Sequence, residues 1–327
     1  MSEIHPFIFD GLPVRGMLVR LTDSWQELLQ RRDEAAASYP PPVRRLLGEM
    51  AAAATLMQAN LRFKGTLVLQ MFGDGPVKLA VVEVQADLAY RATAKVIGAV
   101  PADARLEAML NVGGRGRCAI TLDPSNKHSG QQPYQGIVSL HGDMREPLQE
   151  LSEVLEHYML QSEQLDTRLV LAADDRVAAG LLIQRMPTSG AANLAGSGLS
   201  SADEDQIGRN EDYKRIAILA ATLTRAELLT QDVDTILRRL FWQEKLRRFE
   251  PLTGPAGPRF ACSCSRERVG SMLKGLGRAE IDSIVAEQGR VEIACEFCAR
   301  KYHFDPVDVG GLFTRPSDQM PGSLAVN

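Results

Sequence analysis

At 327 residues, with 45% hydrophobic and 24% charged side chains, the chain is long enough for two domains and for a core that needs no disulfide framework. Its formal net charge of -4 gives no global basic surface for nucleic acid, although local patches stay open. No run approaches the roughly 18 apolar residues of a membrane span. The opening MSEIHPFIFDGL lacks the basic and apolar regions of a signal peptide, so the expected compartment is the cytoplasm.

In chain order, VRRLLGEMAAAATLMQANLRF places Leu46, Leu47, Met50, Ala54, Met57 and Leu61 at helical spacing. TLVLQMF and VKLAVVEV follow around GDGP, which predicts a hairpin. LAYRATAKV continues the meander, and RCAITLD and YQGIVSL are further strand candidates. PLQELSEVLEHYMLQSEQ predicts a helix with Leu148, Leu151, Leu155 and Tyr158 on one side. TRLVLAA and AAGLLIQRM return to strand. Adjacent strands with short turns imply antiparallel pairing, with helices packed on the sheet. The expected fold class is α+β: a mainly antiparallel β core domain with packed helices over residues 1–187, a helical linker and a small C-terminal zinc-binding domain.

Residues 188–212 are rich in Gly, Ser, Ala and acid, and read as a flexible low-complexity segment. YKRIAILAATLTRAELL and DVDTILRRLFWQEKLRRF are predicted helical, with Asp212 and Asp232 as N-caps, giving a linker over 213–254. LTGPAGP then breaks the chain before a domain at 255–315. There SRERVGSMLKGLG and RAEIDSIVAEQG predict two short helices, the second capped by Gly289. VEIACEFCARKYHFD predicts a hairpin with CEFC at its tip. The tail 316–327 is expected to be disordered.

Four of the five cysteines fall within 37 residues, as Cys262-x-Cys264 and Cys295-x-x-Cys298. Zinc takes four soft ligands at tetrahedral corners, and two close pairs supply them. In a reducing compartment such clustering points to metal or redox chemistry. The expected cofactor is one Zn(2+) per chain, with the four sulfurs as ligands. The alternatives are free cysteines acting as small hydrophobes, or His303 replacing one sulfur. Four ligands leave no open position, so the site is structural. Oxidation would pair neighbours, Cys262 with Cys264 and Cys295 with Cys298, because these lie within disulfide reach. Losing the metal removes roughly 10–16 kcal/mol, as much as a small domain's stability, so the cluster can work as a switch.

On these residues the chain resembles the bacterial redox-regulated chaperones called 33 kDa chaperonins, heat-shock proteins of 33 kilodaltons. CSC with CEFC and the trailing YHFD resembles that family's zinc module. GDGPVKLAVVE, YQGIVSL, QSEQLDTRLVLAA, LLIQRMP and LFWQEKLRRFEP resemble its earlier blocks, in the right order. Residues 188–212 depart from the pattern, being longer than the family usually carries. The resemblance implies a holdase that needs no ATP. Reduced and zinc-bound it is inactive, and monomeric. Oxidation forms two local disulfides, ejects zinc and loosens the linker. The protein then captures unfolding clients, commonly as a homodimer.

The stretch RRLFWQEKLRRFE supports this, because Leu240, Phe241, Trp242, Leu246 and Phe249 are interleaved with five basic residues. Folded, its apolar side must pack on something; released, it would offer aromatic anchors. The plain alternative is an amphipathic helix that stays docked. A competing function is a zinc ribbon that binds nucleic acid through Arg266, Arg268, Arg300, Lys301 and their neighbours, but the acidic chain argues against it. No catalytic residue is expected. Gly114-x-Gly116-x-x-Ala119 runs into a β-like segment, where a dinucleotide loop should open a helix. His128, His141 and His157 are isolated, Glu163 has no partner acid, and Cys118 reads as a buried structural thiol.

Overall fold

The computed structural model describes residues 1–35, 37–61, 63–125, 132–186 and 210–313. Its contacts divide it into two compact units, Met1–Ala261 and Cys262–Asn327.

The first unit is built on two mainly antiparallel sheets and one buried helix. Strands β1 (Glu3–Phe9) and β2 (Val14–Leu21) lead into α1 (Asp23–Glu34) and α2 (Pro41–Leu61). A meander follows: β3 (Gly65–Phe72), β4 (Val77–Gln85), β5 (Ala89–Val96), the short α3 (Leu106–Leu110), β6 (Arg117–Pro124) and β7 (Tyr134–Ser139). Then come α4 (Leu151–Glu163), β8 (Thr167–Ala173) and β9 (Ala178–Arg185). Residues 210 onward give α5 (Glu211–Ala221), α6 (Arg225–Thr230), α7 (Val233–Phe241), β10 (Leu246–Arg248), β11 (Leu252–Thr253) and β12 (Arg259–Phe260).

The first sheet runs β10–β1–β2–β9–β8, with β11 also on β1; the second runs β12–β5–β4–β3–β6–β7. Helix α2 packs against strands of both, and Ala51, Ala52, Ala53 and Ala54 are completely buried. A helix buried over most of its surface belongs inside a core, and alanines let both sheets approach it closely. The opposite face of the first sheet is covered by α5–α7. In α7, Val233, Ile236, Leu237, Leu240 and Phe241 fall at i, i+3, i+4, i+7 and i+8 and are all buried. Phe241 meets Phe9 edge-on, with ring centroids 5.0 Å apart, and Phe7 joins them. Phe7 can lie flat there because its cross-strand partner is Gly16, where a Cβ would stand only 2.1 Å from the ring.

Several local expectations change. The long helix expected to begin at Tyr213 is two, α5 and α6, because Thr224 accepts from the Glu227 amide and Glu227 answers in a capping box. Its N-cap is Asn210 and not Asp212, so residues 210–212 belong to ordered backbone; 188–209 lie outside the described residues. The second helix, expected to run through Phe249, ends at Phe241, and Leu246–Arg248 is a strand on β1. The edge of β1 offers unpaired backbone groups, and that pairing outweighs helical propensity. The unit boundary falls after Ala261, not at 255, because Arg259–Phe260 pairs in parallel with Ala89–Tyr90. The tail from 316 also lies outside the described residues.

Candidate metal centre

The second unit begins at Cys262 and contains α8 (Arg266–Leu276), α9 (Arg278–Gln288), the hairpin β13 (Val291–Ala294) and β14 (Lys301–Phe304), and α10 (Pro306–Phe313). Its core is small: Leu273, Ile281, Val291, Tyr302, Phe304 and Val309. Six buried side chains are few for an independent domain, which makes a staple valuable here.

Each cysteine pair sits on a tight local structure. Cys262 and Cys264 lie just before α8, whose N-cap Ser265 accepts from the Arg268 amide. The Arg268 guanidinium turns back to donate to the Ser263 carbonyl at 2.8 Å, fixing the loop between the two sulfurs. Cys295 and Cys298 form the hairpin tip. The Cys295 amide donates to Arg300 O at 2.9 Å, and the Ala299 amide to Cys295 O at 2.8 Å. Ala299 takes a left-handed φ of 58°, which turns the chain back into β14.

The four sulfurs lie within 4.8 Å of one another, an arrangement that can hold a metal ion. Across the two pairs, Cys262 Sγ to Cys295 Sγ is 3.6 Å and Cys264 Sγ to Cys298 Sγ is 3.4 Å. His303 stands apart from the donor set, with Nδ1 3.3 Å from Glu292 Oε2.

Donors converge on the sulfurs. The Cys295 thiol is drawn down to about 4, first by the Cys262 S–H and then by the amides of Cys298 and Phe297. Cys262 is correspondingly raised, chiefly by the same contact. Burial pushes Cys298 up to about 11. A central cation reverses such upward shifts, because positive charge favours thiolates. The Tyr302 hydroxyl donates to Cys264 Sγ at 3.1 Å.

The expected client-facing residues lie in the first unit and are divided. Leu240 and Phe241 are buried, Leu246 is half-buried, and Trp242 and Phe249 are exposed, Trp242 at 73%. Cys118 is fully buried on β6 and stands outside the sulfur cluster. Gly114 adopts a φ of 72° in a turn before β6, as a glycine-rich turn requires. Glu163 accepts from the Tyr134 and Tyr158 hydroxyls, a structural contact.

Sequence reasoning missed the residues that tie α6 down. Arg20 on β2 donates to the carbonyls of Leu228, Gln231 and Leu229 at 2.7, 2.8 and 3.0 Å. Arg225 on α6 reaches Glu49 on α2, with Nη2 2.7 Å from Oε1. The available signal was Glu49 itself, a carboxylate inside the otherwise apolar run LLGEMAAAATLM.

The family model described as Hsp33 protein matches residues 2–305. A 33 kDa chaperonin of Chromobacterium violaceum is 43% identical over 312 residues, covering 95% of this chain and 94% of that protein. One of Methylobacillus flagellatus is 42% identical, covering 98% and 97%. The crystal structure of the 33 kDa chaperonin (heat shock protein 33 homolog) of Thermotoga maritima superposes with a TM-score of 0.71 at 20% identity, covering 95% of this chain and 97% of that one. That likeness is one of fold.

Proposed function

The chain belongs to the Hsp33 family, and from that premise we propose that it is a redox-switched holdase whose sensor is a zinc ion held by Cys262, Cys264, Cys295 and Cys298. The observation that carries this reading is the convergence of four sulfurs within 4.8 Å. Zinc–thiolate bonds of about 2.3 Å at tetrahedral angles put sulfurs roughly 3.8 Å apart, close to the 3.4 and 3.6 Å found across the pairs. When bound, zinc supplies the cohesion that six buried side chains do not.

Peroxide is a sufficient oxidant. One thiolate attacks the O–O bond, giving a sulfenic acid and hydroxide. A second thiolate attacks that sulfur and displaces another hydroxide. Each disulfide thus passes two electrons to one peroxide. We assign the disulfides to neighbours, Cys262–Cys264 and Cys295–Cys298. In the folded site all four sulfurs lie within 4.8 Å of one another, so proximity alone does not select a pairing. Once the first disulfide has formed, the two halves are no longer tied together, and short loops close most readily.

The linker 213–254 is the effector. Its α5–α7 cover one face of the first sheet, and only Ala261 separates β12 from Cys262 in the chain. Loss of the metal removes the anchor that follows β12. The linker then leaves, uncovering the apolar sheet face together with Leu240, Phe241, Trp242, Leu246 and Phe249 for unfolded clients. Capture needs no ATP and no catalytic residue, and the oxidised protein works as a homodimer, the reduced one as a monomer. We place it in the cytoplasm; no helix among the described residues is long and apolar enough to cross a membrane. Nucleic-acid binding is not favoured, since Arg266, Arg278, Arg290 and Lys301 are engaged by Asp308, Asp282 and Glu292.

The test is to follow zinc, free thiols and light scattering of a denaturing client together during peroxide treatment. Zinc release that precedes suppression of scattering is expected. The double variant Cys262→Ser with Cys264→Ser should lose zinc and bind clients without oxidant. A folded, zinc-loaded double variant, or oxidation without zinc release, sinks the proposal.

A further inference from the structure

We propose that Tyr302 guards Cys264, so that oxidation begins at Cys262 and Cys295; this rests on the redox function proposed above. The Tyr302 hydroxyl donates to Cys264 Sγ at 3.1 Å. Its ring is only 8% exposed and belongs to the small core of the second unit. The strand register fixes it too, opposite Ile293 in the β13–β14 hairpin. A hydroxyl on a largely buried residue takes partners, and here Cys264 Sγ is one of them, with the Arg300 side chain also beside it.

The other sulfurs are served by backbone. The Cys264 amide lies near Cys262, those of Cys298 and Phe297 near Cys295, and that of Arg300 near Cys298. Those donors come with the loop fold and cannot be mutated away. The donor at Cys264 is a side chain from the opposite half of the site, so one substitution removes it.

Its chemical effect follows from the first step of oxidation. A sulfur lone pair attacks one peroxide oxygen; the O–O bond breaks and hydroxide leaves, with the sulfur becoming the sulfenic acid. A hydroxyl hydrogen-bonded to the sulfur withdraws part of that electron density and makes it a poorer nucleophile. Cys298 is shielded differently, being 6% exposed, while Cys262, Cys264 and Cys295 are all half-buried, so the Tyr302 hydroxyl is what sets Cys264 apart. Each neighbour pair therefore contains one open sulfur and one protected sulfur. The open one is oxidised to the sulfenic acid. Its protected neighbour then attacks that sulfur, displaces the second hydroxide and closes the disulfide.

The experiment uses the full-length, zinc-loaded chain and no client. Iodoacetamide labelling at each cysteine is followed by mass spectrometry in wild type and in Tyr302→Phe, which keeps the ring and loses only the oxygen. In wild type, Cys262 and Cys295 should be labelled before Cys264. In the variant, Cys264 labelling should be about tenfold faster, with Cys295 unchanged and one zinc retained. Peroxide should also release zinc sooner from the variant. An unchanged Cys264 rate in a zinc-loaded variant overturns the proposal. If the variant loads no zinc, the wild-type order decides, and Cys264 labelled first overturns it. Iodoacetamide alkylation needs no oxidant, so failure of the redox reading leaves this test intact.

Discussion

The guanidinium of Arg225 stands 2.7 Å from the carboxylate of Glu49, passing edge strand β8, whose Leu171 carbonyl accepts from its other nitrogen at 3.2 Å. Glu49 is a buried acid in the central helix, and the cation that answers it belongs to α6. Burial, opposed by Arg225, pushes its carboxyl up to about 7 from 4.5. A carboxyl that binds its proton more tightly when folded contributes most stability below the unfolded value of 4.5, and loses it as pH rises through 7. Glu49→Gln cannot titrate. The stability of wild type minus that of the variant should therefore fall by about 2.5 kcal/mol from roughly pH 5 to pH 8 in urea unfolding. A difference that is flat or rises with pH would contradict this linkage.

Arg20 should hold α6 from the other end. Removing its guanidinium strips three carbonyls at the C-terminal end of α6 of their donor. Arg20→Ala should cost about 2 kcal/mol in the docking of residues 225–241. Amide exchange by mass spectrometry should speed up there, while β13 and β14 stay protected. Unchanged exchange over α6 and α7 would remove Arg20 from this role.

Adjacent aromatic residues of the linker should behave in opposite ways. Phe241 packs edge-on to Phe9 inside the core, so Phe241→Ala should destabilise the first unit by about 3–4 kcal/mol. Trp242 is 73% exposed, and Trp242→Ala should change stability by less than about 0.5 kcal/mol. After oxidation the Trp242 variant should suppress client aggregation less well than wild type. Equal losses of stability in both variants would show that Trp242 is docked in solution.

Cys118 should be silent in every thiol measurement on the native protein. It is fully buried, and burial pushes its thiol up to about 12, far from the thiolate form. Peroxide treatment should consume four thiols, and a fifth should react only after denaturation. Early labelling at Cys118 would mean that β6 opens before the metal unit does.

Much of this fold could be read from periodicity, because its sheets are antiparallel and its connections short. The run from Thr66 to Phe72 alternates buried and half-exposed residues, and GDGP turns it. The cysteine spacing pointed to one cluster, and the sulfurs do meet. What escaped reading were long-range effects. Leu246–Arg248 is flanked by helix-like sequence, and only the distant partner Phe7–Phe9 makes it a strand. Glu49 carried a visible signal but no hint of its partner, since Arg225 is far away in sequence. In the sequence Tyr302 is one more residue of the predicted hairpin VEIACEFCARKYHFD, and nothing there points to its hydroxyl meeting Cys264 Sγ.

The pairing of β1 with β10 has a further consequence, for how the molecule is made. Asp10 and Arg247, which meet beside that pairing, are 237 positions apart. A ribosome adding about 5–20 residues per second takes roughly ten to fifty seconds to cover that distance. Throughout that time β1 has emerged and its outer edge has no partner. The apolar face that α5–α7 will cover is equally bare. Each newborn molecule thus passes through a stage that presents the surface the finished protein is proposed to uncover only under oxidation, and closing it is one of the last steps of its synthesis.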